Sequence, residues 1–100
     1  MSTSICDEWQ SILDQNKIIV VGADFCPACV KAKSMLKKGN YPHLDYNIAG
    51  ENESVIMQEC ILPQTRTNFI PQVFVNKKFI GGYSELRYMM DTKLLEDFKF

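Results

Sequence analysis

The sequence has almost no net charge, with 11 lysines and arginines against 12 aspartates and glutamates and a formal charge of -1 at pH 7. It also lacks any block of like charges, which excludes the basic patch of a nucleic-acid binder and a polybasic membrane anchor. No apolar run approaches the ~20 residues of a membrane-spanning helix. The first residues, Met1 to Trp9, have neither a basic segment nor an apolar stretch of secretory character, so a cytoplasmic setting is expected. Repeats, low-complexity tracts and Gly/Ser linkers are missing, and residues 1–100 are therefore expected to form one domain, a monomer without nucleic-acid or membrane partners. Histidine is nearly absent too: His43 is the only one, and its place reads as a surface strand position, not as a catalytic base.

What is present alternates between helical and strand periodicity. Ser4 to Asn16 sets Ile5, Trp9, Ile12 and Leu13 on one helical face, with Thr3 or Ser4 as the cap and Asp7 and Glu8 in the first turn. Ile18 to Val21 is an uninterrupted β-branched run ended by Gly22, as in a strand covered on both faces. Pro27 suits a first helical turn, and Cys29, Ala32, Met35 and Leu36 mark an inward stripe up to Gly39. Lys31, Lys33, Lys37 and Lys38 of that helix read as a solvated face. His43 to Ile48 alternates Leu44, Tyr46 and Ile48 inward. Glu53 to Leu62 is helical, with Pro63 marking its end. Gln72 to Asn76 and Lys78 to Ile80 form a hairpin about Asn76-Lys77. Ser84 to Phe100 is helical and broken near Asp91-Thr92. The order α-β-α-β-α-β-β-α implies an α/β fold: a four-stranded mixed sheet with helices on both faces, since a βαβ unit crosses over right-handed.

The chemistry concentrates at Cys26 and Cys29. Two cysteines three apart at a helix start exchange with disulfides because the first sulfur lies near the unpaired N–H groups and the positive end of the helix. About 3% of an ordinary thiol is ionised at neutral pH, and making it mostly thiolate takes roughly 4 kcal/mol. A helix dipole supplies ~2 kcal/mol at most, so hydrogen bonds to the sulfur or a cation must add the rest. The spacing makes Cys26 the exposed nucleophile and Cys29, one turn inside, the resolving thiol. A zinc site is the competing reading of a CxxC, but Cys6, Cys60 and His43 do not form a second pair with ligand spacing, and no metal is expected. Cys6 and Cys60 themselves read as small buried hydrophobic residues on helix faces, and the four cysteines as catalytic in character, not as a disulfide scaffold.

Two stretches, Ile18 to Cys29 with its C-P-A-C ending and Ile70 to Leu86 reading IPQVFVNKKFIGGYSEL, together resemble the glutaredoxins over nearly the whole chain. The resemblance implies a thioredoxin fold and glutathione-dependent reduction of protein disulfides or glutathione mixed disulfides through the Cys26/Cys29 dithiol. Pro71 matches the family's cis-proline, which presents the backbone of Ile70 to substrate beside Cys26. Phe25, beside the nucleophile, joins the substrate-binding positions. Gly82, with Gly81, matches the double glycine that lets backbone approach glutathione. The amides of Tyr83 and Ser84, with the Ser84 hydroxyl, would hold its γ-glutamyl carboxylate.

Three departures accompany the resemblance. Ala23, followed by Asp24, stands where glutaredoxins carry a lysine that assists the thiolate and the glycyl carboxylate. Ala28 replaces the tyrosine of the usual motif, and Asn68-Phe69-Ile70 replaces Arg-Thr-Val. They imply glutathione-dependent activity below that typical of the family, with Gln64 or Arg66 as candidate replacement partners for a carboxylate. The other readings are a thioredoxin-like enzyme recycled by a reductase, a glutathione-linked iron–sulfur carrier bridging two chains through Cys26, and a binding domain with a vestigial CxxC. Pro27 argues against the carrier on resemblance, and the retained Cys26, Cys29, Pro27 and Pro71 argue against decay.

Overall fold

The computed structural model describes residues 5–99. Its elements are α1 (Ile5–Gln15), β1 (Ile18–Gly22), α2 (Pro27–Lys38), β2 (Leu44–Asn47), α3 (Glu51–Ile56), a π-helical turn (Met57–Ile61), α4 (Leu62–Thr65), β3 (Gln72–Val75), β4 (Lys78–Gly81), α5 (Tyr83–Asp91) and a 3-10 turn (Glu96–Phe98). The four strands lie in the order β2-β1-β3-β4. The β1–β2 pair is parallel and the other two pairs are antiparallel. This is the thioredoxin fold, a mixed four-stranded sheet with helices on both faces, as the residue pattern implied. The proposed caps Thr3 and Ser4, and the terminal Phe100, lie outside the described residues.

Every residue of β1 is buried, and alternate side chains supply two separate cores, as a pleated strand requires. Ile19 and Val21 point with Tyr46 and Phe74 toward Trp9 and Leu13 of α1 and toward Ile56, Met57, Cys60 and Ile61. Ile18 and Val20 point with Val73 and Val75 toward Ala32 and Leu36 of α2, Leu86 of α5, and Leu95. Trp9 packs edge-on against Phe74 at 5.2 Å and tilted against Tyr46 at 5.4 Å. The β3–β4 turn is tight because Asn76 and Lys77 both adopt positive φ, 51° and 71°, the geometry that matches the twist of a two-residue hairpin.

Three expectations need correction. The helix expected to stop at Pro63 begins at Glu51 and runs through Pro63 to Thr65, ending where Arg66 turns left-handed. Proline lacks an N–H and its ring crowds the carbonyl four residues back. The wider turn just before it, in which the Leu62 N–H donates to the Met57 carbonyl five residues back, relieves that conflict. Lys33 is no solvated residue: its side chain is 19% exposed and its ammonium lies 3.0 Å from Asp45 and 3.9 Å from Asp24. Cys6 and Cys60 are not independent hydrophobic residues but a disulfide, their Cα atoms 5.4 Å apart across 54 residues of chain. Because α1 and the α3–α4 helix share one sheet face, packing brings the two cysteines together. Closing a loop of that length removes about 4 kcal/mol of unfolded-chain entropy in the chain-entropy model.

Tyr46 is buried, and its hydroxyl has no hydrogen-bond partner among the described residues. Burial, with the charges of Glu53 and Glu8 nearby, pushes its phenol from 10.0 up to about 12. The unfolded chain therefore loses this proton first, and the phenol's contribution to stability falls as pH rises through that window. Tyr46→Phe is expected to raise stability near neutrality by about 1 kcal/mol and to flatten part of the alkaline loss. Urea titrations at neutral and alkaline pH check this; an equal or larger alkaline slope in the variant would refute it.

Candidate active site

Cys26 occupies the N-cap of α2 in an extended conformation, and Pro27 opens the first turn. Its sulfur is partly exposed and accepts the Cys29 N–H at 3.2 Å. An N-cap acceptor of this kind satisfies a donor that the helix leaves unpaired. The Cys26 thiol lies 3.9 Å from the Ile70 carbonyl, to which it donates when protonated. Phe25, the preceding residue, is 81% exposed.

Cys29 is fully buried. It lies against β1, where a Cβ on Gly22 would stand 2.5 Å from its sulfur. Glycine at the end of the strand is what lets the helix approach so closely. Burial, followed by the hydrogen bond and charge of Cys26, pushes the Cys29 thiol from 9.0 up to about 11, while a backbone hydrogen bond from Ala23 and the charge of Lys33 pull the other way. The two cysteines, set one helical turn apart, are thus unlike: one has its sulfur at the surface with a donated N–H, the other is dry and protonated.

The second half of the site is built by the segment before β3. Ile70–Pro71 is a cis peptide bond. Gln72, fully buried, donates from its side-chain amide to the Thr67 carbonyl at 2.7 Å and ties down the segment that carries Phe69 and Ile70. Gly82 adjoins it: a Cβ there would stand 3.3 Å from both the Phe69 ring and the Pro71 carbonyl oxygen. Gly82 is also the N-cap of α5, and its N–H donates to Glu85 at 2.7 Å. Tyr83 and Ser84 follow in the first turn; Tyr83 packs partly into the α2–α5 core, and Ser84 is exposed. Cys26 and Ile70 thus form one surface beside the buried Pro71 and Gly82, with Phe25 at one side and Tyr83 and Ser84 beyond Gly82.

Two residues that sequence reasoning did not assign belong here. Phe69 is 46% exposed, packs on Phe79 with ring centroids 6.2 Å apart, and covers Gly82. Its departure from the family pattern was the available signal. Gln72 had none, because a glutamine in a strand reads as a solvent-facing position. Of the suggested replacement partners, Gln64 is engaged through its side-chain oxygen, which accepts the Trp9 indole N–H at 3.0 Å. Ala23 is 1% exposed. Asp24 is held by Asn47 at 3.3 Å and approached by Lys33, so the anion that the sequence places beside Cys26 has a cation of its own.

At one end of this surface the Ile70 backbone flanks Cys26, and Tyr83 and Ser84 follow beyond Gly82, which is itself buried. At the other end Ala23 and Asp24 offer no cation of their own.

A thioredoxin fold with a CxxC at the start of its first crossover helix and a cis-proline opposite defines the class of oxidoreductases that act through cysteine. Residues 17–80 match the family model described as Glutaredoxin. The chain is 26% identical to Glutaredoxin-1 of Rhizophagus irregularis, over 90% of this chain and 89% of that protein. It is 27% identical to Glutaredoxin-2 of Schizosaccharomyces pombe, over 90% and 86%. Among solved structures, oxidized glutaredoxin 2 from Chlamydomonas reinhardtii superposes with a TM-score of 0.73 at 31% identity, covering 94% of this chain and 89% of that one. The buckwheat glutaredoxin–glutathione complex superposes with a TM-score of 0.82 at 21% identity, covering 94% and 86%. The chain belongs to the glutaredoxin family.

Alkylation should separate the two thiols. Cys29 is buried and its thiol is pushed up to about 11, so it carries little thiolate at neutral pH, and iodoacetamide is expected to label Cys26 at least about tenfold faster than Cys29. Mass spectrometry of a short pulse reads the ratio, and comparable rates would contradict the assigned roles. Gly22→Ala should cost about 1–3 kcal/mol through overpacking against Cys29, measured by the urea midpoint; an unchanged midpoint would mean that the contact is not tight.

Proposed function

We propose that the protein is a glutathione-dependent thiol–disulfide oxidoreductase that reduces protein disulfides or glutathione mixed disulfides with the Cys26/Cys29 dithiol, as a cytoplasmic monomer. The observation that carries this reading is the asymmetry of the pair: Cys26 exposes its sulfur and receives the Cys29 N–H at 3.2 Å, while Cys29 is buried and held protonated.

Each step follows from that asymmetry. The Cys26 thiolate attacks one sulfur of the substrate disulfide, the S–S bond breaks, and the departing thiolate takes up a proton from solvent. Once its sulfur is bound in a mixed disulfide, Cys26 no longer carries the charge that opposes ionisation of Cys29. Lys33 and the Ala23 amide continue to favour the Cys29 thiolate. Cys29 then loses its proton, attacks the Cys26 sulfur and releases the substrate thiolate, leaving a Cys26–Cys29 disulfide. Two molecules of glutathione return it to the dithiol and leave as glutathione disulfide.

Glutathione as reductant is supported by the family and by the exposed Ser84 in the first turn of α5, beyond the buried Gly82, and the buckwheat relative of the same fold was solved with glutathione. Ala23 and Asp24 argue for weak affinity. Phe69, lying over Gly82, narrows the same place.

Turnover of a glutathionylated test peptide with glutathione as reductant tests the proposal. Cys26→Ser is expected to abolish turnover. Cys29→Ser should retain turnover on the glutathione mixed disulfide and lose reduction of a protein disulfide. Full activity of Cys26→Ser would refute the mechanism. Turnover with thioredoxin reductase and none with glutathione would refute the reductant and leave the nucleophile standing.

A further inference from the structure

Two of the four cysteines take no part in this chemistry, yet they are joined. Cys6, half-buried in the first turn of α1, is bonded to Cys60, which is 7% exposed in the π-helical turn. The Cys6 sulfur also lies 3.6 Å from the Glu59 carbonyl oxygen. One helical turn further along the same two faces, the Trp9 indole N–H donates to Gln64 at 3.0 Å. Two ties, one covalent and one polar, therefore fasten α1 to the helix that leads into the Ile70 segment.

We propose that Cys6–Cys60 is a second redox site, separate from Cys26–Cys29, that is opened by low-molecular-weight thiols attacking Cys6 and closed again by low-molecular-weight disulfides. Thiolate attack needs a clear line to one sulfur of the bond, and Cys6 is the more exposed of the two residues. A thiolate forms a mixed disulfide with Cys6, the Cys6–Cys60 bond breaks, and Cys60 leaves as the thiolate and takes a proton. A second thiolate attacks the sulfur of the attached thiol, forming a small disulfide and freeing the Cys6 thiolate, which is then protonated. Two electrons have passed to the protein, and the reverse sequence returns them to a small disulfide.

The opened form has a place ready for its parts. A disulfide sulfur has no proton to give, but the Cys6 thiol stands where the Glu59 carbonyl can accept one. The α1 helix stays docked, because Trp9 and Leu13 remain in the core and Trp9 still holds Gln64. Opening thus removes one bond while the fold persists. It loosens the helix that ends at Arg66, next to Thr67, whose carbonyl anchors the Ile70 segment through Gln72.

The test uses the Cys26→Ser/Cys29→Ser variant, in which only Cys6 and Cys60 can react, so its outcome does not depend on the function proposed for the CxxC. The folded protein is equilibrated with mixtures of reduced and oxidised glutathione, quenched in acid and mapped by mass spectrometry. The expected result is reversible opening, with the trapped adduct on Cys6 about tenfold over Cys60. The emission of Trp9, the only tryptophan, should change while far-UV dichroism holds steady. Isotope-coded alkylation of the unsubstituted protein gives the same reading should the variant fold poorly. A pair that opens only when urea unfolds the chain, or an adduct confined to Cys60, would overturn the proposal.

Discussion

The contact between Cys29 and Gly22 joins the core of this protein to its reactive surface. Helix α2 can descend onto β1 only because the strand ends in a residue with no side chain, and that descent takes the Cys29 sulfur out of water while leaving Cys26 at the rim. The dry environment holds one thiol protonated. The helix start gives the other its N–H bond. A strand displaced outward by a methyl group would alter both, since the two sulfurs belong to one helical turn. The site is therefore less a set of residues placed on a scaffold than the upper edge of the packing itself.

Charge around this edge is arranged in a chain, not in opposition. Asp24 follows Ala23, two residues before the nucleophile, and Lys33 approaches it. Lys33 reaches from α2 to both Asp24 and Asp45 and so ties the approach to Cys26, the helix and the edge strand β2 together. The same ammonium favours the anionic form of Cys29. One half-buried lysine thus joins the helix to two acidic side chains and acts on the buried sulfur of the pair.

Much of the fold was legible because its signals are local. The β-branched run of β1, the proline and glycine around α2 and the Asn76-Lys77 turn each state their structure within a few residues. The placement of both cysteines at the start of α2 could be read in the same way. What was not legible depends on distance in space. Cys6 and Cys60 look like two unrelated apolar residues until α1 and the α3–α4 helix lie on the same face. Lys33 looks solvated until Asp45 arrives from another strand. Gln72 looks exposed until the Thr67 carbonyl is seen above it. Pro63 misled for another reason: it normally ends a helix, and the wider turn that accommodates it has no mark in composition.

That wider turn has a consequence for how such a chain can diverge. A turn closed across five residues instead of four rotates every later side chain about the helix axis. The direction in which Gln64 faces Trp9, and the point at which Arg66 releases the chain toward Ile70, are both set by how many residues lie between Met57 and Ile61. Deleting one of them would leave hydropathy and helical propensity almost untouched and still swing the following segment away from its partners. Between Glu51 and Arg66, inheritance should therefore tolerate exchanges of residue type far better than changes of length.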